Sequence, residues 1–469
     1  MMKTYLRKNL AGLSWAVLLV LGLGACQDKE DQPDPNASPN VAINEWIKDV
    51  MDEVYYWLED MRTPIAKNSD PEDYFESLLN RPTDRFSDIF PDYQELMNSL
   101  QGVNREAGYE ILLARESNQN ENVLAFVAYT KRGSPAQSAG ILRGDIITQI
   151  NGQTMTLSNY QSLLRQRSST HTVNFFRFDP GSNTYRPQPQ VSLETVVLAE
   201  NPNFLDTIYT VNNQKIGYVV YHFFAPGVDG DNRYDAQMDE IFGRFKAEGI
   251  NHLILDFRYN GGGFVGSAVN LASLIAPNVT SQDIFSRTKY NSFLSQFQQI
   301  RDLEIRRFNT KMQNLGNTLE GNRVHIITSS RTASASELII NGLKPYMNVF
   351  LVGGRTVGKN VGSIPFEDEG NPNNKYGILP IVTMIFNKDG NSDYINGFTP
   401  NVEVNELSQQ VLLPLGDRNE YLLSLAIQQI TGVGARVNLV ERSDMGSSFE
   451  NKIRFGQIIE DKINIKNLP

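Results

Sequence analysis

The chain has 469 residues, room for about three domains, and 40% of them are hydrophobic against 20% charged. That balance supports real cores and excludes a wholly disordered chain. Lys and Arg total 43 against 53 Asp and Glu, a net charge of −10, which argues against a nucleic-acid partner because phosphate contact needs a basic surface. A single cysteine cannot form an internal disulfide. His171, His222, His252 and His325 are scattered singly, so neither a metal site nor a cofactor is expected.

The amino terminus reads as an address. Met1–Lys8 is short and basic, and Leu10–Ala25 is apolar but too short for a membrane span. The run ends in Leu23-Gly24-Ala25-Cys26, which resembles the lipobox of bacterial lipoproteins. That resemblance implies a signal peptide over 1–25, lipidation at Cys26 and anchoring to a bacterial membrane in the cell envelope. The outer membrane is favoured, with surface exposure an option, because the acidic residues after Cys26 resemble a surface-export signal of some Bacteroidetes lipoproteins. The polar, Pro-containing stretch that follows, within 26–43, reads as a flexible tether.

Residues 44–100 read as a small helical domain. Trp46, Ile47, Val50, Met51, Val54 and Trp57 recur near helical spacing, and Asp70-Pro71 starts a second helix with Tyr74, Phe75, Leu78 and Leu79 on one face. Residues 101–200 change character. Val123–Tyr129 is strand-like, and a Gly-punctuated turn, a strand and an Asn-Gly turn follow through Asn151-Gly152. The stretch Ser134-Pro135-Ala136 through Ala139-Gly140-Ile141 to Gly144-Asp145 and Ile150-Asn151-Gly152 resembles a PDZ domain. By that resemblance Leu157–Arg165 lines a peptide groove, and Gly108, Tyr109, Glu110 and Ile111 receive an extended peptide by strand addition.

Residues 201–430 read as an α/β core. Strands Ile216–Phe223, His252–Phe257, Val324–Thr328 and Val349–Val352 alternate with helices such as Tyr234–Glu248 and Phe264–Ile275, a pattern that favours a parallel sheet flanked by helices. The polar stretch 280–320 is expected to be helical and to cap a cleft. The extension 431–469 has too weak a pattern to assign.

Two segments of this core could carry chemistry. In Asp256-Phe257-Arg258-Tyr259-Asn260-Gly261-Gly262-Gly263, three glycines between a strand and a helix expose backbone N–H groups able to hold an oxyanion. Taken alone, a tight turn that needs glycine explains them better. In Thr332-Ala333-Ser334-Ala335-Ser336-Glu337, a serine sits where a strand gives way to a helix. Taken alone, Ser334 and Glu337 fit a capping box.

Together the two segments, with Thr356-Val357-Gly358-Lys359-Asn360, resemble the motifs of the S41 peptidases, the carboxyl-terminal processing proteases. The order of helical, PDZ and catalytic regions matches as well. The resemblance implies a ClpP/crotonase-like α/β catalytic core with a PDZ domain and a small N-terminal helical domain. It makes Ser334 the nucleophile and Lys359 the general base, and it assigns the oxyanion donors to Gly262 and Ala335. Asn360 departs from a family glycine, and Ser363 stands where the family often has a glutamine that orients the lysine, so Ser363 is the candidate orienting residue. A lysine base must be neutral, so its pKa has to fall from about 10.4 towards 7–8, which demands burial or a nearby cation.

The expected function is a serine endopeptidase that cleaves extracytoplasmic proteins or peptides presented by the PDZ domain. The alternative from another class is a non-catalytic peptide- or ligand-binding lipoprotein on the same fold. The expected partners are a polypeptide substrate and a membrane reached through a lipid anchor, with no nucleic acid and the oligomeric state left open.

Overall fold

Four apolar strands frame the core. The computed structural model describes residues 38–117, 119–434, 439–450, 452 and 454–463. In it, strands Gln214–Tyr221, His252–Asp256, Arg323–Thr328 and Asn348–Gly353 pair side by side in parallel. Asn203–Val211 closes one edge antiparallel, and Val402–Glu403 closes the other. Alternation along each strand sends side chains to opposite faces. Val219, Leu253, Leu255 and Ile326 pack with helices Arg233–Ala247, Val265–Ile275 and Ala335–Leu343. Ile216, Tyr218, Ile254 and Ile327 pack instead with helix Tyr421–Thr431 and with Leu112, Ala114 and Phe126 of the PDZ region. Burial on both faces explains why these strands read as unbroken apolar runs.

A second six-stranded sheet runs in the order Gly262–Phe264, Gln457–Ile459, Val361–Ser363, Ile381–Asn387, Ile284–Lys289, Ile305–Arg307. The expectation of a helical cap over 280–320 is corrected here. That stretch holds two antiparallel strands, Ile284–Lys289 and Ile305–Arg307, with only short helical turns between them. Its polar residues Ser286 and Thr288 are buried beside Ile381–Asn387, and such ladder pairing is invisible to a reading of polarity.

The N-terminal helices are Pro39–Val54, which buries Ile47, Met51 and Val54, and Pro71–Leu78, capped by Asp70 through the Glu72 N–H at 2.9 Å. The first helix begins inside the expected tether. Both helices pack against Ile364, Phe366, Ile378 and Val382 of the core. The PDZ sheet runs Tyr109–Arg115, Val123–Thr130, Ile146–Ile150, His171–Asp179, Thr184–Pro187, with helix Tyr160–Arg165. The C-terminal extension is built into both sheets. Asp444–Ser447 adds to the free edge of Tyr109–Arg115, and Gln457–Ile459 enters the second sheet. The expected signal peptide and Cys26 lie outside the described residues. Among those described, no helix is long and apolar enough to cross a membrane.

Candidate active site

Strand Arg323–Thr328 runs through Ser329–Ala333 to Ser334, which caps the helix Ala335–Leu343. Ser334 has φ 68° and ψ −116°, a region that costs a non-glycine residue about 1–3 kcal/mol. Its surroundings hold it there. Ser334 N–H donates to Glu337 Oε2 at 2.8 Å, Ala333 N–H to Asn260 O at 3.1 Å, and Val357 N–H to Thr332 O at 3.0 Å. A serine forced into a strained strand-to-helix turn is the geometry by which α/β hydrolases present a nucleophile. Here Ser334 is fully buried, and its Oγ has no hydrogen-bond partner among the described residues.

Lys359 is also fully buried. Burial pulls its ammonium down to about pKa 7, against the opposing pull of Asp84 and Glu337. Its Nζ donates to Gln457 Oε1 at 2.9 Å and lies 4.8 Å from the Phe86 ring centre. Arg85 reaches over the same loop to donate to Gly358 O at 2.9 Å. The N-terminal region therefore covers the lysine.

Glu337 ties the two residues together. Its Oε2 accepts from the N–H groups of both Ser334 and Lys359 at 2.8 Å, and its Oε1 accepts from Gly358 N–H at 2.7 Å and Thr356 Oγ1 at 2.5 Å. Burial raises this carboxyl to about pKa 6, partly offset by those donors. The capping-box partner seen in the sequence is thus also the brace between the serine turn and the lysine turn.

Gly262 must be glycine. Its φ is 115°, and an added Cβ would fall 2.6 Å from Ser334 Cβ and 2.8 Å from Ser334 Oγ. The glycine strand therefore runs against the serine. Gly262 N–H donates to Asn260 Oδ1 at 3.0 Å. Ala335 is the first residue of the helix, where N–H groups lack intrahelical acceptors. Asp256 and Arg258 of the same motif are structural. Arg258 is wholly buried and binds Asp256, Glu406 and Glu420.

Ser363 does not orient the lysine. Its buried Oγ has no hydrogen-bond partner among the described residues, and Lys359 Nζ bonds instead to Gln457, 98 residues beyond the lysine. A hydroxyl on the strand beside the lysine is too short to do what an amide brought in from the next strand does. Asn360, the other departure, anchors its strand by donating through Nδ2 to Ser392 O and Oγ, both at 3.0 Å.

The four PDZ positions lie at the start of strand Tyr109–Arg115. Gly108 has φ 82°. Tyr109 is buried with its hydroxyl 2.9 Å from His171 Nε2. Glu110 is buried, which raises its pKa, but Lys452 and Lys131 outweigh that and hold it at about 2. Ile111 already has strand partners: its C=O accepts from Ser448 N–H and its N–H donates to Ser448 Oγ, both at 3.0 Å. Sequence reasoning missed Gln457, Phe86 and the bridging role of Glu337. Only Glu337 left a signal, its three-residue offset from Ser334.

A strained serine against a glycine strand, a buried neutral-leaning lysine and an attached PDZ module define a protein with the architecture of a serine peptidase. Residues 215–404 match the model of Peptidase family S41, 42–87 the Peptidase S41 N-terminal domain and 126–173 a PDZ domain. The chain is thus similar to peptidase family S41 across residues 42–87 and 215–404, with the PDZ match between them. A "Probable CtpA-like serine protease" of Staphylococcus aureus (strain COL) is 22% identical over 348 residues, 72% of this chain and 62% of that protein. A carboxyl-terminal-processing protease of Picosynechococcus sp. is 25% identical over 300 residues, 62% of this chain and 63% of that one. The matches thus span less than two thirds of these curated relatives. Among solved structures, a "Putative S41 protease" from Bacteroides fragilis NCTC 9343 superimposes with a TM-score of 0.67 at 26% identity, covering 82% of this chain and 97% of that one.

Proposed function

We propose that this protein is a serine endopeptidase of the cell envelope, with Ser334 as nucleophile and Lys359 as general base. The observation that carries the reading is the buried Lys359, held at about pKa 7 by desolvation and braced to Ser334 through one carboxylate, Glu337. Neutral Lys359 takes the Ser334 Oγ proton as that oxygen attacks the substrate carbonyl. The resulting oxyanion accepts from Ala335 N–H and from Gly262 N–H once the latter leaves Asn260. The Lys359 ammonium then protonates the departing amine, and the neutral lysine so regenerated deprotonates the water that hydrolyses the acyl-enzyme and returns that proton to Ser334 Oγ. No histidine is required, in keeping with the other serine-base pairs that replace the triad.

The substrate in this reading is an extended polypeptide outside the cytoplasm, presented by the PDZ domain to the core, with the enzyme anchored through lipidated Cys26. The test is cleavage of fluorescent casein by the purified chain. Ser334→Ala and Lys359→Ala should each abolish turnover. Lys359→Arg should not restore it, because guanidinium stays protonated. Wild-type rates in Lys359→Arg would remove the general-base assignment.

A further inference from the structure

The C-terminal extension visits two grooves in succession, and both are places where an extended polypeptide would bind if the protein is a peptidase. The first is the open edge of the PDZ sheet. Asp444 pairs with Ala114 and Ser447 with Leu112, antiparallel, and Ser448 N–H then donates to Ile111 O. The segment therefore runs towards the loop at Gly108, the direction of a strand-added ligand on that edge. Met445 packs into the same apolar cluster as Tyr160 and Leu164 of the neighbouring helix. Lys452 closes the groove's acidic end, 2.6 Å from Glu110 and 3.2 Å from Glu106.

The second groove lies between the glycine strand Gly262–Phe264 and the strand Val361–Ser363 that follows the lysine. Gln457–Ile459 fills it. Gly456 N–H donates to Gly261 O at 2.8 Å, Gln457 pairs with Gly262, and Glu460 N–H donates to Ser363 O at 3.0 Å. With this strand in place, the glycine strand and the lysine strand have no free edge towards each other. The same strand redirects the base. Lys359 Nζ gives its hydrogen bond to Gln457 Oε1, whereas Ser334 Oγ has no hydrogen-bond partner among the described residues.

We propose that strands Asp444–Ser447 and Gln457–Ile459 occupy the polypeptide path of the peptidase, with Gln457 holding Lys359 off Ser334, and that substrate cleavage requires their displacement. The inference rests on the peptidase reading above. It makes the intact chain latent, with its own extended segment as the occupant that a polypeptide substrate replaces in both grooves.

A cross-linked full-length chain tests it. Leu112→Cys with Ser447→Cys places two thiols at directly opposed strand positions, where Cα spacing suits a disulfide. The oxidised form should cleave casein at least ten-fold more slowly than the same protein after reduction, which serves as its own folding control. A releasing variant, Met445→Asp with Ser448→Pro, removes the apolar anchor and one strand donor. It should cleave several-fold faster than wild type and lose hydrogen-exchange protection in 444–447 and 457–459. Equal rates for the oxidised and reduced forms, or a slower releasing variant, would overturn the proposal and make the segment a permanent part of the site. If no form cleaves casein, the peptidase reading fails, and hydrogen exchange decides occupancy alone. Amides of 457–459 in the releasing variant that exchange as slowly as those of strand His252–Asp256 would then overturn it.

Discussion

Replacing Lys359 by methionine should make the protein more stable at pH 6, and that gain should disappear by pH 10. Lysine's ordinary pKa is 10.5, and burial brings Lys359 to about 7. At about 1.4 kcal/mol per unit, the folded state carries a penalty of roughly 5 kcal/mol wherever the amine must be protonated. Between pH 7 and 10.5 the unfolded chain holds a proton that the folded chain has lost, so wild-type stability rises with pH across that window. The penalty is complete below pH 7 and nearly gone by pH 10. Against it stands the bond to Gln457 Oε1, whose loss leaves a buried acceptor unpaired at a cost of about 1–3 kcal/mol. The net expectation is a variant about 2–4 kcal/mol more stable at pH 6 and no more stable at pH 10. Guanidinium unfolding of both proteins at the two pH values measures it, because groups common to the pair cancel in the difference. A stability difference that stays constant with pH would refute the claim that Lys359 is buried and easily neutralised.

Ser334→Gly should remove the cost of φ 68°, raising stability by about 1 kcal/mol in thermal unfolding while abolishing hydrolysis. Glu337→Gln replaces a carboxylate that accepts from three backbone N–H groups and Thr356. It should cost roughly 3 kcal/mol in denaturant titration and lower kcat, since the serine and lysine turns lose their shared brace. Arg258→Met leaves Asp256 buried without its cation and leaves Glu406 and Glu420 with Arg143 alone. A loss of about 3–5 kcal/mol should appear as a lowered Tm, and an unchanged Tm would show that the carboxylates are paired by other means.

The parallel core was readable because each strand is apolar on both faces, and its helices and strands fall within a few residues of the expected bounds. The serine and lysine were readable because their turns use short local motifs. Gln457 was not, since it reaches the lysine through strand pairing between distant segments, and a three-residue strand carries no periodicity. The hairpin in 280–320 was misread as helix for a related reason: Ser286 and Thr288 look solvent-facing in sequence but are buried in the second sheet. Phe86 lies outside the short motifs that carry the serine and lysine turns. Its place 4.8 Å from Lys359 Nζ depends on how that region sits on the second sheet.

The most direct test of the central claim is covalent trapping. The purified chain is treated with diisopropyl fluorophosphate during casein turnover, and the adduct is mapped by peptide mass spectrometry. One diisopropylphosphoryl group on Ser334, formed in step with loss of cleavage and absent from Lys359→Ala, is the predicted result. Continued cleavage with Ser334 unmodified, or inactivation through an adduct elsewhere, would contradict it.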